Sequence, residues 1–262
     1  MSHSSFFAGI DVGSSFTKAV IIDQTKHIYG SKICYSATDL RSAAEQALKA
    51  ALPDNYNTSD IKKTIATGYG RKIVQIPKMQ ISSITEISCS AKAAHFLFPN
   101  SGALTIVDIG GQDTKIIKTQ DGKRIGFKMN RKCAAGTGTF LEELALKLRI
   151  QLAELDKLAK QSNNPSQIGS YCTVFTATEI LSRIREGESL EDMVRGAFHS
   201  VVKRVLEIDV LDTQVVLTGG VVAHNPSIVE IFEEELGKSV LIPPSPQLFV
   251  ALGAALYALE NI

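Results

Sequence analysis

A cysteine stands directly before a glycine-rich segment where Cys133 begins the run Cys-Ala-Ala-Gly-Thr-Gly. An apolar pattern of helical period follows, so the run marks the start of a helix. A helix N-terminus presents unpaired N–H groups and a partial positive charge, which favours the thiolate form of a cysteine. Because the thiolate binds metals, Cys133 is a candidate metal ligand. The alternative is a small buried apolar residue, as free cysteines often are.

A second candidate, Cys172, precedes another predicted helix, and neither cysteine has a Cys-x-x-Cys neighbour. One chain therefore lacks the four closely spaced thiolates of a self-contained zinc or iron–sulfur site. If both cysteines faced a two-fold axis, a dimer would supply four thiolates, the number that a [4Fe–4S] cluster requires. Burial in the core is again the alternative.

Two loops that follow apolar strands share an Asp-x-Gly pattern. Asp11 begins Asp-Val-Gly-Ser-Ser-Phe-Thr-Lys, and Asp108 begins Asp-Ile-Gly-Gly-Gln-Asp. Glycines let backbone N–H groups approach phosphate oxygens, and the hydroxyls and Lys18 add donors and charge. The carboxylates could hold Mg²⁺ or orient a water. Each loop alone could be an ordinary hairpin turn, but the repetition indicates a duplicated α/β domain.

A third glycine motif, Gly219-Gly220, follows a buried-type strand. Such a pair can lie flat against the adenosine of a nucleotide, and the alternative is a strand-to-helix turn that needs positive φ. A soft-metal ligand and a nucleotide site in one small chain suggest that ATP is coupled to electron transfer.

Composition narrows the class of protein. The 262 residues are 44% hydrophobic and 21% charged, which is typical of a soluble globular chain. A formal net charge of +1 without a long basic block argues against nucleic-acid binding. We find neither a membrane-spanning apolar run nor a secretory signal. Four scattered cysteines do not form a disulfide scaffold, which favours the reducing cytoplasm.

Periodicity and turn residues predict the elements that must position these residues. Strands are predicted at 7–10, 17–22, 61–67, 103–108, 114–118 and 214–218. Helices are predicted at 39–51, 86–98, 138–148, 151–162, 176–186, 190–208, 226–236 and 247–259.

The three glycine loops, in this order, resemble those of the superfamily of sugar kinases, Hsp70 and actin. Members of that superfamily bind ATP between two ribonuclease-H-like domains. The resemblance implies an α/β chain with two such domains, at 1–99 and 100–246, and a C-terminal helix in 247–262 that packs back on the first.

The run Asn-Arg-Lys-Cys-Ala-Ala-Gly-Thr-Gly at 130–138, with Cys172 after it and the second Asp loop before it, resembles the BadF/BcrA ATPase family. That family includes activators of 2-hydroxyacyl-CoA dehydratases, ATPase subunits of benzoyl-CoA reductases and reductases of double-cubane iron–sulfur proteins. The resemblance implies a homodimer with one [4Fe–4S] cluster held by Cys133 and Cys172 of each subunit. Cys34 and Cys89 lie outside the motif and are assigned to packing.

The resemblance also implies ATP or ADP with Mg²⁺ as cofactors, and assigns residues to them. Asp11 and Asp108 would hold Mg²⁺ through water. The implied catalytic residues are Asp108, Gln112 and Asp113. The implied nucleotide contacts are Asp11, Gly13, Ser14, Ser15, Thr17, Lys18, Gly110, Gly111, Gly136, Thr137, Gly219, Gly220 and Gln247.

The function implied is low-potential electron transfer from ferredoxin or flavodoxin to a partner iron–sulfur enzyme. A 2-hydroxyacyl-CoA dehydratase is the first expectation for that partner, and a double-cubane protein or a benzoyl-CoA reductase is the alternative. A small-molecule kinase and an actin-like scaffold are rivals of other classes. Anaerobically purified protein would be brown only under the electron-transfer interpretation.

Overall fold

The computed structural model of the protein describes residues 5–36, 38–131, 133–169 and 173–260, without the side chains of 173–177. The chain divides into two compact units. The first comprises Met1–Ala103, Thr119–Ile125 and Gln247–Ile262, and the second comprises Leu104–Lys118 and Gly126–Pro246. In the described ranges no helix has the length and apolar character needed to cross a bilayer.

The strands and α-helices follow one another along the chain. They are β1 (Phe6–Val12), β2 (Phe16–Ile22), β3 (Ile28–Tyr35), α1 (Leu40–Ala51), β4 (Ile61–Thr67), β5 (Ile81–Ser83), α2 (Glu86–Leu97), β6 (Ala103–Ile109), β7 (Thr114–Gln120), β8 (Lys123–Asn130), α3 (Gly138–Leu148), α4 (Leu155–Ala159), α5 (Thr173–Arg185), α6 (Leu190–Leu206), β9 (Gln214–Thr218), α7 (Gly220–His224), α8 (Pro226–Leu236) and α9 (Phe249–Glu260). Short 3-10 turns lie at Thr58–Asp60, Leu152–Glu154 and Pro246–Leu248.

The sheet of the first unit has the strand order β3-β2-β1-β4-β5. Its central strand β1 is antiparallel to β2 and parallel to β4. Every residue of β1 is buried, because alternate side chains enter two different cores. Phe6 and Ile10 pack with α1, whereas Phe7 packs with Cys89 of α2 and with α9. Helices on both faces therefore fix the end of β1, where Asp11 lies.

The second unit repeats the centre of this arrangement, with the strand order β8-β7-β6-β9. Here β6 is parallel to β9, as β1 is to β4. A single hydrophobic core joins β6 to the helices, with Val107 packed among Phe140 of α3, Phe198 of α6 and Phe232 of α8. The duplicated strand–Asp-x-Gly–strand pattern thus corresponds to two copies of one sheet centre.

Several predicted elements differ from those observed. The helix predicted at 151–162 is a 3-10 turn followed by the short α4. It ends early because the backbone N–H groups of Asn163 and Asn164 donate to the Asp192 carboxylate. The prediction also missed β3, β5 and β8, since the mostly exposed side chains of these edge strands leave no apolar run to detect.

Candidate functional site

The first glycine loop is held by an ion pair across the β1–β2 hairpin. Asp11 and Lys18 are register partners on the two strands, and the Lys18 Nζ lies 2.9 Å from the Asp11 Oδ2. The Gly13 N–H donates to the Phe16 carbonyl at 3.1 Å and closes the turn. Asp11 is 5% exposed, so the lysine supplies the counter-charge that a buried carboxylate needs.

The remaining residues of this loop divide into accessible and structural groups. Ser14 is exposed and Ser15 is half-buried, so their hydroxyls are available to a ligand. Thr17 is fully buried, and its hydroxyl is bonded to the Ser36 hydroxyl at 2.9 Å. The Ser36 hydroxyl donates in turn to the Gly13 carbonyl at 2.7 Å. The buried Thr17 side chain therefore stabilises the loop through its hydrogen bond with Ser36.

A residue that sequence reasoning did not assign, Gly68, lies against this loop. It follows β4 with φ of +87°, and a Cβ placed there would lie 2.5 Å from the Asp11 Oδ1. Only glycine combines this φ with so close an approach. The Arg71 side chain donates to the Gly68 carbonyl at 3.0 Å and stabilises the turn.

The second loop has the same turn geometry. The Gly110 N–H donates to the Asp113 carbonyl at 2.9 Å, at the repeat positions of Gly13 and Phe16. Asp108 is 6% exposed, while Gln112 is exposed and Gly111 and Asp113 are half-buried. A buried carboxylate beneath an accessible glycine turn can hold a cation, and N–H groups of the turn other than that of Gly110 can approach an anion.

Lys115 is the second residue that the sequence analysis missed. It is 3% exposed, it contacts the Asp113 carboxylate, and its Nζ lies 4.0 Å from the Asp108 Oδ2. The signal was present in the sequence, because both loops read Asp-x-Gly-x-x-x-Thr-Lys. The loops thus share four identical residues in an eight-residue pattern and end on equivalent lysines, Lys18 and Lys115.

The Gly219-Gly220 motif packs against the second loop. Gly219 has φ of +99°, and a Cβ there would lie 2.3 Å from the Ile109 carbonyl oxygen and 2.6 Å from the Asp108 Oδ1. Its N–H donates to the Pro246 carbonyl at 3.2 Å. Gly219 thus lies against Asp108 in the second unit in the same way as Gly68 lies against Asp11 in the first. Gln247 lies in the adjoining 3-10 turn and is half-buried.

The cysteine segment is bonded directly to the second loop. The Gly138 and Thr139 N–H groups donate to the Gly110 and Gly111 carbonyls at 2.9 and 2.8 Å. The Thr139 hydroxyl also donates to the Gly111 carbonyl at 2.7 Å.

Two further bonds belong to the same segment. The Thr114 hydroxyl donates to the Gly136 carbonyl at 2.6 Å. The Asn130 side chain donates to the carbonyls of Cys133 at 3.2 Å and Ala135 at 2.9 Å. Thr137 is fully buried. Residues 133–139 and 110–114 therefore form one connected structure.

Helix α3 begins at Gly138, as predicted. Cys133 lies five residues before this start and therefore outside the first turn, where the influence of the helix dipole fades. Cys133 is half-buried in a loop, which leaves its thiol accessible to a ligand. Cys172, its proposed partner, lies outside the described residues.

The other two cysteines occupy structural positions. Cys34 is half-buried in β3, and Cys89 is buried in α2. Burial raises the pKa of the Cys89 thiol to about 12, which keeps it protonated and unsuited to bind iron. Among the described residues, no three His, Cys, Asp or Glu side chains converge as a metal site.

The chain is similar to known proteins along nearly its whole length. The model of the BadF/BadG/BcrA/BcrD ATPase family matches residues 8–258. The activator of lactoyl-CoA dehydratase from Anaerotignum propionicum is 42% identical over 257 residues, which cover 96% of each chain.

Two solved structures are similar along nearly their whole length. Component A of the Acidaminococcus fermentans (R)-2-hydroxyglutaryl-CoA dehydratase is 35% identical with a TM-score of 0.88, covering 98% of this chain and 99% of that one. The activator of the Clostridium difficile 2-hydroxyisocaproyl-CoA dehydratase, with bound ADPNP, is 37% identical with a TM-score of 0.87, covering 98% and 95%. The predicted α/β class with ribonuclease-H-like units is confirmed, and this chain belongs to the BadF/BadG/BcrA/BcrD ATPase family.

Proposed function

We propose that this protein is an ATP-dependent electron-transfer component that activates a partner iron–sulfur enzyme, a 2-hydroxyacyl-CoA dehydratase in the first instance. The observation that carries the proposal is the set of hydrogen bonds joining residues 110–114 to residues 133–139. A loop suited to phosphate and a loop with an accessible cysteine share one backbone framework. The relatives named above are dehydratase activators, which supports the choice of partner.

The proposed cofactors are Mg-ATP and one [4Fe–4S] cluster shared by a homodimer. Cys133 and Cys172 of each subunit supply the four thiolates that such a cluster requires. Asp11 and Asp108 are buried carboxylates beside glycine turns, a donor set that suits Mg²⁺ held through water. When bound, the cluster supplies the transferred electron and the nucleotide supplies the driving free energy.

In the proposed sequence of events, residues of this chain bind, orient and transmit. The N–H groups of the Gly13 and Gly110 turns and the Lys18 ammonium bind phosphate oxygens. Asp108, Gln112 and Asp113 orient the attacking water, and a carboxylate, that of Asp108 or of Asp113, accepts its proton. Displacement of residues 110–114 pulls on residues 136–139 and so changes the surroundings of Cys133. The hydrogen bonding and solvent exposure of a cluster set its potential.

The electron donor we propose is ferredoxin or flavodoxin in the cytoplasm. ATP gives the transfer its direction only through different affinities for two conformations, which is the general requirement for driving such a change.

Two single substitutions test the proposed cluster site and the proposed nucleotide site separately. Anaerobically purified Cys133→Ser protein should be colourless with little bound iron, because two of the four thiolates per dimer are lost. Asp108→Ala protein should keep its colour and iron but lose ATP hydrolysis, since the two sites use different residues. Iron content, visible absorbance and ATP turnover measure both effects.

The matched control is Cys89→Ser, which removes a thiol in the core and should leave the colour unchanged. A full iron content in Cys133→Ser would exclude the cluster assignment. Normal turnover in Asp108→Ala would exclude its catalytic role, and colourless wild-type protein that phosphorylates a small molecule would favour a kinase.

A further inference from the structure

The two repeated loops end on lysines that differ in their surroundings. The Lys18 side chain is 15% exposed and pairs with Asp11. The Lys115 side chain is 4% exposed and serves two carboxylates, since it contacts Asp113 and lies 4.0 Å from the Asp108 Oδ2. Equivalent positions in the sequence repeat therefore hold an accessible lysine in one loop and a buried lysine in the other.

Because Lys115 is buried, its role differs from that of Lys18. Removing an ammonium group from water is strongly unfavourable unless carboxylates compensate its charge, and Asp108 and Asp113 both do so. The same argument applies to Asp108, which is 6% exposed and needs a counter-charge. An ammonium held beneath the loop in this way has little freedom to leave its partners for a nucleotide.

We propose that Lys115 is a positioning residue for ATP hydrolysis, and that it acts through Asp108 and Asp113. Its ammonium fixes the orientation of both carboxylates and sets the net charge that a divalent cation meets at this loop. The proposal rests on the proposed function, because it assumes that these two carboxylates act on Mg-ATP. Lys18, by contrast, contacts the phosphates itself.

Replacement of the ammonium by a neutral chain of similar length isolates this role. In Lys115→Met, kcat for ATP hydrolysis should fall about tenfold or more while KM for ATP changes less than about twofold, because orientation is lost and phosphate contacts are kept. The Kd for Mg²⁺, measured by calorimetry with a non-hydrolysable ATP analogue present, and the free Mg²⁺ concentration for half-maximal activity should both fall about threefold or more, because two uncompensated carboxylates attract the cation more strongly.

The matched control is Lys118→Met, on the same strand. Lys118 forms ion pairs with Asp209 and Asp212, away from the loop, so kcat and the Mg²⁺ dependence should stay at wild-type values. A purely structural role of Lys115 would lower the active fraction and leave the Mg²⁺ dependence unchanged, and that result would overturn the proposal.

A charge-conserving variant covers the case in which Lys115→Met does not fold. Lys115→Arg should fold with a wild-type Mg²⁺ dependence, yet lose about tenfold in kcat because the planar guanidinium cannot reproduce the lysine geometry. An unchanged kcat in Lys115→Arg would overturn the proposal. If wild-type protein itself hydrolyses no ATP, the proposed function fails; if wild-type hydrolyses ATP and Lys115→Met matches it, only this inference fails.

Discussion

Neighbouring residues fix the position of Asp11 and Asp108, the two aspartates that we propose hold Mg²⁺ beside the nucleotide. Each has a lysine at its side and a positive-φ glycine against it, Gly68 for Asp11 and Gly219 for Asp108. A side chain at either glycine would meet a carboxylate oxygen within 2.6 Å. The glycines therefore fix where the carboxylates lie, independently of any role in contacting adenosine.

Gly68→Ala tests this effect against a control at another glycine of positive φ, Gly102. Both Gly68 and Gly102 have positive φ, but nothing lies within 4 Å of a Cβ at Gly102. Either alanine variant should lose about 1–2 kcal/mol of stability from the left-handed backbone, and Gly68→Ala should lose more, because its Cβ would also lie 2.6 Å from the Val12 carbonyl oxygen. Only Gly68→Ala should also weaken nucleotide binding, by about tenfold, because Asp11 must move. Equal nucleotide affinity in the two variants, measured by calorimetry, would contradict a positioning effect of Gly68.

At the scale of elements, the Asp192 carboxylate joins the connection between α4 and α5 to the start of α6 by hydrogen bonds. Asp192 accepts hydrogen bonds from the Ser162 and Ser189 hydroxyls at 2.7 Å and from the N–H groups of Asn163 and Asn164. These four donors lower the pKa of Asp192 from 3.8 to about 2. The connection leads towards Cys172, so its order bears on the proposed cluster site.

The lowered pKa predicts how this connection responds to acid. Because the pKa is depressed in the folded state, the stability from Asp192 is fully present above pH 3.8 and is lost as pH falls through about 2. Asp192→Asn should be less stable than wild type at neutral pH and should show a weaker decline in that window. The free energy of unfolding is measured by urea titration at a series of pH values, and Asp54→Asn, at an exposed position, is the control. Parallel curves for Asp192→Asn and wild type would refute the prediction.

At the scale of the whole molecule, the proposed function requires coupling between nucleotide and cluster. The bonds between residues 110–114 and 133–139 provide a physical link within one unit. Linkage demands reciprocity, so a nucleotide that shifts the reduction equilibrium of the cluster must bind the reduced and oxidised protein with affinities that differ by the same factor.

We expect a non-hydrolysable ATP analogue to change the cluster potential and its EPR signal, and to bind the two redox states unequally. Thr139→Val is the matched variant, because it removes the side-chain bond to the Gly111 carbonyl but keeps the backbone bond, and it should reduce the coupling. Equal affinities and an unchanged potential in wild type would place the coupling outside the isolated protein, in the proposed complex with the partner.

The sequence by itself determined most elements and the identity of the candidate loops. Apolar periodicity predicted 138–148, 214–218 and 226–236 with the observed bounds, because buried faces impose a repeat that local reading detects. The duplicated Asp-x-Gly pattern likewise indicated two related units, because a repeated segment can be detected in the local sequence. The exposed strands β3, β5 and β8 and the polar stop after α4 carry no such repeat, and they were missed.

Only the tertiary structure decided which of these residues share an environment. The contacts of Gly68 with Asp11 and of Gly219 with Asp108 depend on parallel strand pairs that join distant segments. The burial of Lys115 depends on the core packed around β7. Local sequence encodes propensity and period, whereas strand register and burial arise from packing between segments far apart in the chain. That is why two lysines at equivalent positions of one repeat came to differ in exposure.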